Sequence, residues 1–522
     1  MRKIFLIAYI FLGVTGCSTK NSVALVSKVK PNIIYILADD LGYGDLSSFN
    51  KEGKIKTPNI DKLAADGMKF ADAHTSSSVC SPTRYGILTG RYNWRSRLKE
   101  YVLNGTSKAL IPNNRTTVAS LLKNNGYQTA FIGKWHLGWD WHLNKPITDE
   151  SLENENFETI DFSKPVKNNP NDLGFTYSYG FSGSLDMGPY VYVENRMATQ
   201  IPNSFSENKD KYAFWRKGPI SSDFVHEEAT PHFVNKAIQY IDQSSKNKEP
   251  FFLYLPLPAP HTPILPTSEW KGKSGLNPYG DYVIMLDSYI GQIIKAVADA
   301  GIEKNTLIIF TSDNGCSTTA NYKVLLEKGH NPSGIYRGNK ADLFEGGHRV
   351  PFIAKWPDKI KKGSLSNETI CTTDFMATCA EIVNYKLKDN EAEDSFSMMP
   401  LFTNKKLKKS FREATVHHSI NGSFAIRKGD WKLLLCPDSG GWSYPNPKKD
   451  QKIIATLPTV QLYNLKDDPS ETKNLEDNNP EKVKELKSLL LKYIDEGRST
   501  KGIPQDNDAI NFTWKQVELL KS

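Results

Sequence analysis

The chain has 522 residues, of which 39% are hydrophobic, 11% aromatic and 24% charged, enough apolar material for one large, well-buried domain plus a smaller one, so disorder is not the default reading. Lys and Arg number 66 against 58 Asp and Glu, a formal net charge of +8 that mildly favours an anionic substrate. The excess is dispersed, with Lys405 to Lys409 and Lys361–Lys362 reading as solvated loops, and nucleic-acid binding is not expected.

In chain order, Met1 to Gly16 carries Arg2 and Lys3, an apolar run from Ile4 to Leu12, and small residues before Cys17. This resembles a bacterial lipoprotein signal, with 1–16 removed, Cys17 lipidated and 17–30 a linker. The run is too short to span a bilayer. An exported, lipid-anchored protein is expected, facing the periplasm because "STKNS" after Cys17 lacks an acidic stretch. Loss of Arg2 and Lys3 takes 66 basic residues to 64 against 58 acidic, or about +6.

"PNIIYILADD" (31–40) is an apolar run of strand length ending in two acids, as a buried parallel strand does when its C-terminal end carries chemistry. "TPNIDKLAADG" follows as a short helix, with Thr57 as cap and Pro58 in the first turn. "SSSVCSPTRYGILTGRY" (76–92) leads Cys80 into a helix, and "RTTVASLLKNNGY" is a further helix before the strand "QTAFIGKWHLG". "HEEATPHFVNKAIQYIDQ" and "DYVIMLDSYIGQIIKAVADAG" have helical spacing, while "PFFLYLPL" and "TLIIFTSDNG" read as buried strands. The alternation predicts an α/β fold, a large mostly parallel or mixed sheet between helices over 31–405. Residues 144–170 and 186–222 read as insertions around a substrate mouth. From 406 to 522 the pattern changes to a hairpin, "SFAIRKGDWKLLLC", and an amphipathic helix with Leu486, Leu489, Leu490 and Tyr493 on one face. A smaller C-terminal α+β domain is expected.

Six cysteines are present, and no Cys-x-x-Cys pair suggests a zinc ribbon. Cys80, Cys316, Cys371, Cys379 and Cys436 remain after Cys17, an odd set in which Cys371 with Cys379 is the nearest guess for a disulfide. In α/β sheets, sites gather beyond the carboxyl ends of the strands. Asp39 and Asp40 close one strand and Asp313 and Asn314 another, a hard oxygen set suited to Ca²⁺ or Mg²⁺.

"CSPTR" at Cys80 to Arg84, with "LTGR" after it and "PNIIYILADDLGYGD" before it, resembles the signature of the type I sulfatases. The resemblance runs on through "GKWHLG", "SLDMGPY", "PHTP", "TSDNG" and "GNKADLFEGGHRVP". It implies the alkaline-phosphatase-like superfamily fold and a Cys80 converted to formylglycine (3-oxoalanine) by a formylglycine-generating or anaerobic sulfatase-maturing enzyme. It also implies one Ca²⁺, with Mg²⁺ as alternative, held by Asp39, Asp40, Asp313, Asn314 and the modified Cys80. Chemically, a thiolate attacking a sulfate ester would leave a sulfur-bound sulfonate with no easy exit, whereas an aldehyde hydrate supplies an oxygen nucleophile and a second hydroxyl to expel sulfate.

By the same resemblance Arg84 holds the hydrate, Lys134 and Lys340 bind sulfate, and His136 orients the hydrate or acts as base. His261 is a sulfate ligand and general acid, and Ser184 touches sulfate. His330 is offered as a sugar contact against the plainer reading of a loop histidine, and His417 and His418 stand between the same readings. Asp45 is read as a turn residue. A sulfated carbohydrate is the expected substrate. The competing classes are a phosphomonoesterase or phosphodiesterase of the same superfamily, which would use Ser or Thr and two zinc ions, and a non-catalytic glycan-binding lipoprotein.

Overall fold

The computed structural model describes residues 30–144, 157–405, 407, 410–508 and 515–521. The leader and Cys17 lie outside them. A 10-stranded mixed sheet forms the centre. Its four middle strands run parallel in the order Thr306–Ser312, Asn32–Ala38, Phe251–Pro256 and Gln128–Lys134, the four apolar runs read from the sequence. Tyr177–Phe181 adds a fifth parallel strand. Phe352–Lys355 and Met68–Phe70 extend the other side through antiparallel pairing.

Period-two alternation divides the core. Ile33, Tyr35 and Leu37 face one cluster, which includes the helices at Cys80–Thr89, Val118–Asn124 and Phe375–Ile382. Ile34, Ile36 and Ala38 face the other, under the helices Pro58–Asp66, Ala229–Ser244 and Pro278–Asp299. The helix spans agree with the sequence reading, including Pro58 at the first position of its helix.

A four-stranded antiparallel sheet (Thr415–His418, Phe424–Lys428, Trp431–Leu434 and Gln461–Asn464) forms the smaller C-terminal unit. The helix Pro480–Asp495 covers it with Leu486, Leu489, Leu490 and Tyr493, all buried. Of the two stretches read as insertions, 186–222 holds two short strands at the edge of the large sheet and a hairpin, Ser204–Asn208 with Trp215–Ile220. The disulfide guess is corrected: Cys80, Cys316, Cys371, Cys379 and Cys436 are all buried free thiols. Cys371 and Cys379 instead fill two different apolar clusters.

Candidate active site

Adjacent residues in a strand point to opposite faces, yet Asp39 and Asp40 serve one site. The strand has ended at Ala38, and Asp40 takes a left-handed backbone, φ 63°. Oxygens of both carboxylates, Cys80 Sγ and a His261 ring nitrogen lie within 4.8 Å of one another. The neighbouring strand ends at Ser312, and Asp313 N donates to Ala38 O at 3.1 Å, so Asp313 and Asn314 arrive at the same rim. Asp40 N donates to Asp313 Oδ1 at 3.1 Å, and Asn314 Nδ2 donates to Asp40 Oδ1 at 2.7 Å.

Cys80 is the first residue of a wholly buried helix whose N-cap, Val79, provides no side-chain cap. First-turn N–H groups are therefore left for an anion. Cys80 Sγ lies 3.6 Å from Asp39 Oδ1. Burial, helped by Asp313 and Asp39 and opposed by Lys134 and Lys340, pushes this thiol well above its ordinary range. As a cysteine it is a protonated, poor nucleophile.

One helical turn on, Arg84 reaches Asp313 Oδ2 through Nη2 at 2.7 Å and Nε at 3.2 Å, and donates to Lys134 O through Nη1 at 3.0 Å. Lys134 Nζ donates to Asp39 Oδ2 at 2.5 Å, and Lys340 Nζ sits 2.7 and 2.9 Å from the two oxygens of Asp40. Three cations thus face three carboxylates. Burial would raise Asp39, but Lys134, Arg84 and Lys340 hold it below the usual carboxylate range. Asp40 fares differently: burial, with Asp39 and Asp313 and against Lys340, pushes it up to about 7.

His136, at φ 56°, points Nε2 at Leu103 O, 2.7 Å away, while Nδ1 is buried without a partner. The carbonyl can only accept, so Nε2 carries the proton and Nδ1 keeps its lone pair. Burial, then Lys134 and Arg84, hold this imidazole neutral. His261 turns Nδ1 to Thr262 O and Nε2 towards Asp40 Oδ2 at 3.6 Å. Ser184 is 1% exposed and its hydroxyl has no partner.

One sequence reading is corrected. His330 is fully buried, accepting from Lys54 N at 3.1 Å through Nδ1 and donating to Asp45 Oδ1 at 2.8 Å through Nε2. No ring nitrogen remains for a sugar. His330 instead steadies Asp45, which also accepts from Gly42 N at 2.7 Å and from the Tyr279 hydroxyl, itself 3.2 Å from Asp40 O. His417 is likewise spent on Thr75 O and Thr415 Oγ1. The sequence reading also passed over Asp186, whose Oδ1 lies 4.0 Å from His261 Nδ1 and whose Oδ2 pairs with Arg216. An acid two residues past Ser184 was the available signal. The Leu103 carbonyl that fixes the His136 tautomer had none.

The donors fit a hard divalent cation. Asn314 Oδ1 is buried with no donor, and Asp40 is a carboxylate that burial alone leaves hard to ionise. The set is oxygen-rich, as alkaline-earth ions require. The His74, His348 and His417 group also gathers ring nitrogens within 4.8 Å, but Lys432 Nζ lies 2.9 Å from His348 Nε2 and Arg427 Nη1 3.0 Å from His74 Nε2. Those cations disfavour a metal there.

A helix-flanked mixed sheet that delivers buried acids, a helix-start cysteine and paired lysines to one rim defines an anion-ester hydrolase. The sulfatase family profile matches residues 31–385, and the profile of the N-sulphoglucosamine sulphohydrolase C-terminal region matches 338–499. The chain belongs to the sulfatase family and is a sulfuric ester hydrolase. It is 33% identical to an N-acetylgalactosamine-6-O-sulfatase of Bacteroides thetaiotaomicron, over 91% of this chain and 96% of that protein. Human arylsulfatase A is 30% identical over 88% of this chain and 87% of its own length. A solved sulfatase from a study of the metabolism of multiple glycosaminoglycans by Bacteroides thetaiotaomicron superposes with a TM-score of 0.76 at 32% identity, over 89% of this chain and 99% of that one.

Proposed function

We propose that this chain removes sulfate from a sulfated carbohydrate, an amino sugar of glycosaminoglycan type, using a formylglycine made from Cys80. The observation that carries the reading is the meeting of Asp39, Asp40, Asp313 and the unpartnered Asn314 Oδ1 at the buried helix start that presents Cys80. The similarity to a sulfatase of N-acetylgalactosamine 6-sulfate supports the sugar.

In this reading Asp39, Asp40, Asp313 and Asn314 hold one Ca²⁺, or Mg²⁺, which supplies Lewis acidity and neutralises charge around the sulfate. With their carboxylates so engaged, Lys134 and Lys340 turn from Asp39 and Asp40 to the sulfate oxygens. Arg84 holds the hydrated aldehyde. One hydroxyl of the hydrate, its proton passed to water, forms the new O–S bond as the bond from sulfur to the sugar oxygen breaks. His261, which keeps Nδ1–H on Thr262 O and takes up a second proton at Nε2 when the anionic substrate sits beside it, gives that proton to the sugar oxygen. His136 Nδ1, the lone pair left free by Leu103, takes the proton of the second hydroxyl. The C–O bond to the sulfate then breaks, inorganic sulfate leaves and the aldehyde is restored. Ser184 adds a hydroxyl for a sulfate oxygen.

The proposal includes export and anchoring through Cys17, supported by the leader pattern alone. Among the described residues no helix is long and apolar enough to cross a membrane. The test is the mass of the Cys80 peptide from the native host, expected to show sulfur lost and an aldehyde gained, together with sulfate release from 6-O-sulfated N-acetylgalactosamine. An unmodified thiol in fully active protein sinks the mechanism, and two bound zinc ions would turn the reading towards a phosphatase.

A further inference from the structure

The hairpin Ser204–Asn208 with Trp215–Ile220 carries exposed aromatic rings and is bonded to the loop of His261. Phe205 is 59% exposed and Phe214 38%, although folding normally hides such rings. Cations lie near their faces: Lys217 Nζ is 5.8 Å from the Phe205 centroid and the Arg216 guanidinium 6.0 Å from that of Phe214. From 204 to 220 the chain carries Lys209, Lys211, Arg216 and Lys217 against Glu207 and Asp210, a net positive strip.

The hairpin is fastened to the reaction centre. Tyr212 O accepts from Ile264 N at 2.8 Å and from Thr262 Oγ1 at 3.4 Å, both on the loop that carries His261. Its hydroxyl accepts from Asn321 Nδ2 at 3.0 Å. Arg216 N donates to Asp186 O at 3.1 Å, and the Arg216 side chain pairs with the Asp186 carboxylate beside His261. At the base, the Trp215 ring stacks on His226 at 4.0 Å. An arm of this kind, with exposed aromatic rings and cations beside them, is anchored within one residue of the proposed general acid.

We propose that this hairpin is a binding subsite for the sugar units next to the sulfated one in an anionic oligosaccharide. Phe214 and Phe205 lie under the C–H faces of sugar rings, and Lys211 and Lys217 pair with their sulfate or carboxylate groups. The negative face of an aromatic ring suits those C–H edges, and the excess of cations matches a polyanion. The inference rests on the sulfatase reading for its substrate and extends it from a single sugar to a chain.

The experiment compares wild type with the Phe205→Ala, Phe214→Ala double variant on 6-O-sulfated N-acetylgalactosamine and on a sulfated glycosaminoglycan tetrasaccharide. The expected result is about a tenfold loss of kcat/KM on the tetrasaccharide, mainly in KM, with turnover of the monosaccharide within about twofold. Lys211→Ala with Lys217→Ala should flatten the salt dependence for the tetrasaccharide. An equal fall on both substrates overturns the subsite and makes the hairpin a prop for the His261 loop. No change on either overturns it outright, as does a concentration-dependent dimer that the double variant dissolves. If wild type releases no sulfate from any glycan, the sulfatase reading fails by itself. Calorimetric titration of Cys80→Ser protein with the tetrasaccharide then decides: binding lost with the two phenylalanines upholds the subsite, and binding indifferent to them sinks it.

Discussion

Cys80 is held where a thiol can do little. At 1% exposure, 3.6 Å from an Asp39 oxygen and pushed upward by burial, it stays protonated at neutral pH. Substituting serine changes one atom of a packed side chain, so Cys80→Ser should melt within a few degrees of wild type while sulfate release falls by at least about a thousandfold. Retained turnover would show another nucleophile. His261 invites a sharper test, because a general acid matters in proportion to how poor the leaving group is. His261→Ala should lower kcat by about a hundredfold or more on a sugar sulfate. On an aryl sulfate, whose phenolate leaves without a proton, the loss should be several times smaller. Equal losses on the two substrates would mean that His261 binds sulfate and donates no proton.

Between elements, the large sheet and the C-terminal sheet are riveted by a buried charge cluster. Asp72, beside the Met68–Phe70 strand, accepts from Arg427 Nη1 and Nη2 at 2.7 and 2.9 Å and pairs with Arg349 at 3.0 Å and His74 at 2.8 Å. Burial alone would raise its carboxyl, but Arg349, Arg427 and His74 hold it well below the usual range. A depressed acid stabilises the fold fully above its unfolded value, about pH 4, and that contribution drains away as pH falls through the lowered one. Asp72→Asn should therefore cost about 3–5 kcal/mol, because it leaves two buried guanidinium groups to share the single carboxylate of Glu345. Calorimetry at pH 7 should find a melting temperature lower by about 3–5 °C, with the gap to wild type closing towards pH 2. A drop of a degree or less at pH 7 would show that the cluster adds nothing. None of this was legible in the sequence, because the partners of Asp72 lie far along the chain and no local pattern links them. The central strands were legible for the opposite reason: each is a largely apolar run, and two of them lead straight into the acids of the site, Asp39–Asp40 and Asp313. His330 misled because a histidine in a Gly-His-Asn-Pro loop looks the same whether its nitrogens face a sugar or Asp45. The short antiparallel strand Phe352–Lys355 was missed for want of length, and the cysteines offered only parity where the structure shows thiols packed in apolar clusters.

At the scale of the molecule, charge balance and chain crossing set different vulnerabilities. Because Lys134, Arg84 and Lys340 already face Asp39, Asp313 and Asp40, a chelator that strips the proposed divalent cation should stop sulfate release, recoverable with added Ca²⁺ or Mg²⁺, yet lower the melting point by only a few degrees. Outright unfolding on chelation would show that the cations do not suffice. The C-terminal sheet is less dispensable than its position at the end of the sequence suggests. Ser78 N donates to His418 O at 3.1 Å and His418 N to Ser76 O at 3.2 Å, two and four residues before Cys80. Ala341, next to Lys340, donates to Ser78 O at 2.8 Å and accepts from Ile420 N at 3.1 Å. The C-terminal strand therefore ties the Cys80 loop to the Lys340 loop, and its apolar face also covers Tyr92 and Trp94 just beyond the Cys80 helix. A fragment of residues 31–405 would expose that face and leave those backbone groups without partners. It should aggregate or show no cooperative melt, whereas the full chain should lose structure and activity in one transition, followed by circular dichroism and sulfate release in parallel. A fragment that melts cooperatively and releases sulfate would show that the two sheets fold and work apart.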